Sequence, residues 1–203
     1  MNTLPSKEEI AKLTLRSAVA YAIRGAYRVG TILCETPYVP AVRGALKLAE
    51  NVACAPEISD VDEALIASAG VPILEAATQL AGQPRLELAV MSAMDALSAA
   101  GNALRAAANP ARAEQCAARV TSAAIRAANP DGILDGEAAA GAVLAARKDF
   151  ERLLRDYGEN HAPTLGGPVS WAFDLCCHGP ASLDKHTDGG HFPTEGAERR
   201  ERK

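Results

Sequence analysis

A chain of 203 residues with 48% hydrophobic but only 4% aromatic side chains is long enough to bury one core and too apolar for wholesale disorder. Its net charge of −4 offers no basic excess to neutralise phosphates, which argues against nucleic-acid binding. The longest uncharged apolar stretch, 64–74, is too short to span a bilayer and is broken by Gly70 and Pro72.

The first ten residues carry Lys7, Glu8 and Glu9 with no apolar run, so no signal peptide is expected. Ser6 and Glu9 have the spacing of a capping box and predict a short first helix. Leu15, Val19, Ala22, Ile23, Ala26, Gly30 and Leu33 then recur at helical spacing. Thr36-Pro37 and Pro40 should end that segment. Val42, Ala45, Leu46, Ala49, Val52 and Ala53 give a second face, which Pro56 stops, and Ser59-Asp60 can cap the next helix. From 60 to 80 a helix is expected to split or kink at Gly70 and Pro72.

Gly82 and Pro84 mark the next stop and start. Leu86, Val90, Ala93, Leu97, Ala100, Gly101, Leu104 and Ala108 form the longest regular face. Two similar endings come after it, Arg105 to Pro110 and Arg126 to Pro130. In each, an asparagine able to adopt a left-handed conformation precedes a proline that forbids continuation. Cys116, Val120, Ala124 and Ala127 lie on one face between them. The last helix is predicted from 135 to 157, with Ala138, Ala145, Leu153, Leu154 and Tyr157 as contacts.

No segment reads as a strand. The expected fold is therefore all-α: an alanine-rich antiparallel bundle of six to seven helices over 1–157. Facing alanines and glycines allow helix axes to approach toward about 8 Å, the close end of the usual range. Residues 158–194 become dense in glycine and proline and form an irregular C-terminal tail, expected to dock on the bundle through Trp171 and Phe173. The end, 195–203, is charged and expected to be disordered.

All four histidines lie in that tail or at its start. Cys176, Cys177, His178, His186 and His191 are the candidate metal ligands, with zinc the natural ion for thiolate and imidazole. Adjacent cysteines diverge, however, and no CxxC is present, so surface histidines and half-buried thiols are the plainer reading. A Cys176 or Cys177 nucleophile paired with a tail histidine would need a rigid pocket, which a glycine-rich segment does not build. Asp60, Asp62 and Glu63 read as first-turn acids, and Asp149 and Glu151 as part of a solvated face among Arg147, Lys148 and Arg152. Tyr21, Arg24, Tyr27 and Arg28 on the first long helix are the candidate partner-binding residues, since tyrosine and arginine are enriched at interface hot spots. The five scattered cysteines suit reduced thiols, so a cytoplasmic location is expected. No nucleotide, zincin or hydrolase motif is present and no catalytic residue is assigned.

The runs Ala20 to Val29, Ala41 to Glu50 and Ala99 to Asn102 give the segment 15–108 a further property. It resembles the Imm-5-like family of bacterial immunity proteins, which are alanine-rich and all-helical. Val52 stands where that family has a tryptophan, and no histidine occurs between Leu86 and Ala108. The resemblance implies a non-enzymatic helical protein that occludes a toxin. The expected function is thus protein binding without a cofactor. The alternatives are a metal-binding module in the tail and an enzyme of unknown reaction between bundle and tail.

Overall fold

The computed structural model describes residues 3–58, 61–158 and 164–169. These form an all-α bundle, and no strand occurs among the described residues. A single turn, α1 (Lys7–Ile10), precedes seven helices: α2 (Leu15–Gly30), α3 (Val39–Cys54), α4 (Glu63–Ser68), α5 (Gly70–Gln79), α6 (Pro84–Ala108), α7 (Ala113–Ala128) and α8 (Gly136–Tyr157). Short 3-10 turns follow α2 at Thr31–Leu33 and precede α7 at Pro110–Arg112.

Local chemistry explains most of these boundaries. Ser6 and Glu9 form the full capping box at α1. Thr14 caps α2 by accepting from the Ser17 N–H at 3.2 Å. Pro84 sits at the start of α6, where its missing N–H costs nothing. Pro40 likewise lies in the first turn of α3, so it opens that helix instead of closing the one before. The α-helical part of α2 ends at Gly30, short of the expected Leu33, and tightens into the 3-10 turn. The cap of α4 is Asp62, which accepts from the Ala64 N–H at 2.8 Å; Ser59 and Asp60 lie outside the described residues.

The asparagine stops work by a different mechanism from the one expected. Asn109 and Asn129 have φ of −138° and −77° with extended ψ, because the residue before a proline is driven out of the helical region. Their side chains accept from the N–H groups of Ala111 and Asp131, two residues on, and so turn the chain into the next segment.

The core is built around α6, which packs on α2, α3, α5 and α7. Ala89, Val90, Ala93, Ala96, Leu97, Ala99, Ala100, Ala103 and Leu104 are all buried along it. Such small side chains contribute little area each, so cohesion depends on many close contacts between backbones. Gly25 shows how close: a Cβ there would lie 2.7 Å from that of Ala128 on α7.

On α8 the buried stripe is Ala142, Ala146, Asp149, Phe150 and Leu153. Leu153 is buried, and Leu154 and Tyr157 pack half-buried against the core, as expected; Ala138 is exposed and Ala145 only half-buried, so the expected register is corrected in the first half of the helix. Tail residues 164–169 lie across the start of α2 and the end of α3. The Leu15 and Arg16 N–H groups donate to the Thr164 and Leu165 carbonyls at 3.0 and 3.1 Å, and the Val169 N–H donates to the Ala53 carbonyl at 2.9 Å. This part of the tail is held by its backbone; Trp171 and Phe173 lie outside the described residues, as does 195–203.

Candidate functional site

Two regions bear on function: the arginine cluster that the sequence singled out, and an outer face of α5 that it did not. Arg24 and Arg28 are one helical turn apart on α2 and converge on Asp149 of α8. Arg24 Nε lies 2.7 Å from Asp149 Oδ2, and Arg28 Nη2 contacts the same oxygen. Arg24 and Asp149 are buried and Arg28 half-buried. Asp149 therefore does not belong to the solvated face expected for it: two cations share one buried carboxylate. Burial and the neighbouring Arg24 push Arg28 down to about 10, so it stays charged at neutral pH.

Tyr21 is completely buried beside this cluster, and burial raises its hydroxyl pKa well above the usual range. Its neighbourhood includes a second ion set, in which Arg147 of α8 reaches Glu9 at 2.8 Å and Glu151 at 3.2 Å. The Arg147 guanidinium also lies 5.4 Å from the Phe150 ring centroid, within cation–π range. These contacts tie α1 and α2 to α8.

Tyr27 faces the other way. Its hydroxyl donates to Glu50 Oε1 of α3 at 2.7 Å, and Lys47 Nζ donates to Oε2 at 2.8 Å. The four expected partner-binding residues thus fall into two internal sets, Tyr21, Arg24 and Arg28 against α8, and Tyr27 against α3. Tyr21 and Arg24 offer no exposed patch. The arrangement joins helices by fixed charge.

The five candidate metal ligands, Cys176, Cys177, His178, His186 and His191, lie outside the described residues. Among the described residues no cluster of three or more metal-ligating side chains occurs, and Cys34, Cys54 and Cys116 are free thiols. Of the first-turn acids, Asp62 caps α4 and Glu63 pairs with Arg105 at 2.7 Å, both roles within the fold.

The outer face of α5 is different in character. Val71 is 56% and Leu74 53% exposed, although most large apolar residues of the bundle are inside. They line a shallow groove with Glu75, Thr78 and Gln79, and Gln79 accepts from the Tyr38 hydroxyl at 3.1 Å. On the preceding helix Leu65 is 53% exposed. The inner positions Ile73, Ala76 and Ala77 hold α5 on the core. In sequence the groove falls within the longest run without a basic side chain: between Lys47 and Arg85 there is no lysine or arginine, whereas Glu50, Glu57, Asp60, Asp62, Glu63 and Glu75 occur; of these Glu75 lines the groove, while Glu50 and Glu63 pair with Lys47 and Arg105. That charge run was the available signal, since alternation of apolar residues on both sides of a helix is easily read as burial all round.

No helix among the described residues is long and apolar enough to cross a membrane. No family model, no curated protein and no solved structure matches this chain.

Proposed function

We propose that this protein acts as a helical scaffold that binds another protein through the outer face of α5. The observation that carries this reading is the exposure of Val71 and Leu74 in a groove they line with Glu75, Thr78 and Gln79, with no basic side chain in the lining. Exposed apolar groups gain by being covered, and the charge of Glu75 at the groove biases the partner and its orientation. The partner best suited to this surface presents apolar side chains with a basic side chain beside them. The resemblance of 15–108 to Imm-5-like proteins supports a narrower form, in which that partner is a toxin and binding masks its working surface.

The test is a double substitution, Val71→Lys with Leu74→Lys. Both positions are exposed, so helical content and melting should be unchanged. Wild-type protein recovered from its native cells should carry a stoichiometric protein partner, and the double variant should retain at least ten-fold less of it. Equal retention by the two, or no partner on the wild type, would overturn the proposal. A toxin neutralised by the wild type and not by the variant would establish the narrower form.

A further inference from the structure

Residues 164–169 cover groups that a simple tether would not need to cover. The first two N–H groups of α2, on Leu15 and Arg16, are taken by the Thr164 and Leu165 carbonyls. Helix-initial N–H groups have no partner inside their own helix, so the segment supplies what the helix lacks. The Val169 carbonyl accepts from the Cys54 thiol at 3.0 Å, and the Val169 side chain is fully buried. Gly166 has φ of +77°, and a Cβ on it would overlap the Thr14 side chain. Only glycine is accommodated there without strain.

One buried group beside this closure is unfavourable. Arg16 is only 2% exposed, and its Nε has no hydrogen-bond partner among the described residues. Burial accordingly depresses its pKa. Among the described residues no carboxylate is in ion-pair contact with it and Glu57 acts on it only from farther away, and a cation covered in that way costs free energy that hydration would restore. Backbone hydrogen bonds and Val169 hold the segment down, while Arg16 opposes them.

From this balance we infer that residues 164–169 are a displaceable latch, which opens from an intact bundle and frees the first two N–H groups of α2, the half-buried Cys54 thiol and the surface beside Arg16 together. The groups freed are two N–H donors at the positive end of a helix and a thiol, beside a cation and all within a short span. An open latch is a surface for an anionic group, and the closed latch occupies it with the chain's own carbonyls.

Cys54 serves as the reporter. Full-length protein is treated with a neutral maleimide, and labelling of each cysteine is followed by peptide mass spectrometry. Gly166→Val should speed labelling of Cys54 at least ten-fold while buried Cys116 stays at its wild-type rate. Arg16→Met keeps the length and removes the charge, so it should slow Cys54 several-fold. Parallel acceleration of Cys54 and Cys116 in Gly166→Val would mean that the segment opens only with the whole fold. A Cys54 rate in Arg16→Met at or above wild type would remove the opposing role of Arg16. Either result overturns the inference. Should Gly166→Val fail to fold, amide exchange of the wild type decides: the Leu15, Arg16 and Val169 amides should share one protection at least a hundred-fold below that of Ala96 to Ala100, and protection equal to that core overturns it.

Discussion

Asp149 is the residue on which most of the internal charge depends. It is the one carboxylate within ion-pair reach of both Arg24 and Arg28 among the described residues. Asp149→Ala should therefore leave two covered guanidinium groups without their shared anion, and removing one partner of a buried pair costs about 3–5 kcal/mol. Urea denaturation measures this directly, and a loss under about 1 kcal/mol would show that water already reaches the site. Gly25 is the steric counterpart. Gly25→Ala should destabilise by about 1–3 kcal/mol, because the new methyl meets the α7 backbone and must push the two helices apart. Gly44→Ala, in open space on α3, should instead stabilise by roughly 0.5–1 kcal/mol. Opposite signs for the same chemical change, read in the same thermal melts, would locate the α2–α7 contact. Neither residue was legible in the sequence. Asp149 sits among charged neighbours that are exposed, and its partners are on α2; Gly25 differs from Gly44 only through what lies opposite.

Helices are where the sequence was most informative, because their ends are local. Ser6 with Glu9, Gly82 with Pro84, and the two Asn-Pro pairs each act within a few residues of themselves, and each marks an observed boundary. The first half of the α8 face, and Asp149 on it, were misjudged for the converse reason. Its buried stripe includes a charge, and no local pattern tells which carboxylate will meet an arginine from another helix. The α1–α8 connection has a pH signature. Hydrogen bonds from Arg147 and the Ser6 N–H hold the Glu9 carboxyl below its usual range. A carboxylate whose folded pKa is depressed contributes stability above its unfolded value, about 4.3, and loses it as pH falls through the folded value. Glu9→Gln should therefore weaken the protein at pH 7 and make little difference near pH 2. Urea midpoints at the two pH values test this, and an equal loss at both would assign the effect to geometry rather than charge.

At the scale of the whole molecule, the alanine-lined centre makes the bundle more sensitive to added volume than to lost volume. Ala100 is completely buried on α6, and Ala100→Leu should cost on the order of 1–3 kcal/mol by forcing helices apart. Calorimetry would show this as a lower melting temperature, and an unchanged one would mean the seam has slack. The all-α class and the central place of the long helix came from composition and periodicity, whereas the exposed groove on α5 did not. A helix apolar on several sides reads as buried until its neighbours are known. The pairing of Cys54 with Val169 spans 115 positions, and this has a consequence for biosynthesis. Chains emerge from the ribosome N-terminus first, so α1 to α8 are complete before residue 164 exists outside it. The bundle therefore condenses with the seat of Val169 vacant and the thiol of Cys54 open. A nascent chain stalled with Tyr157 just outside the ribosome should label at Cys54 faster than one stalled after Val169 has emerged, so that thiol records the arrival of residues 164–169.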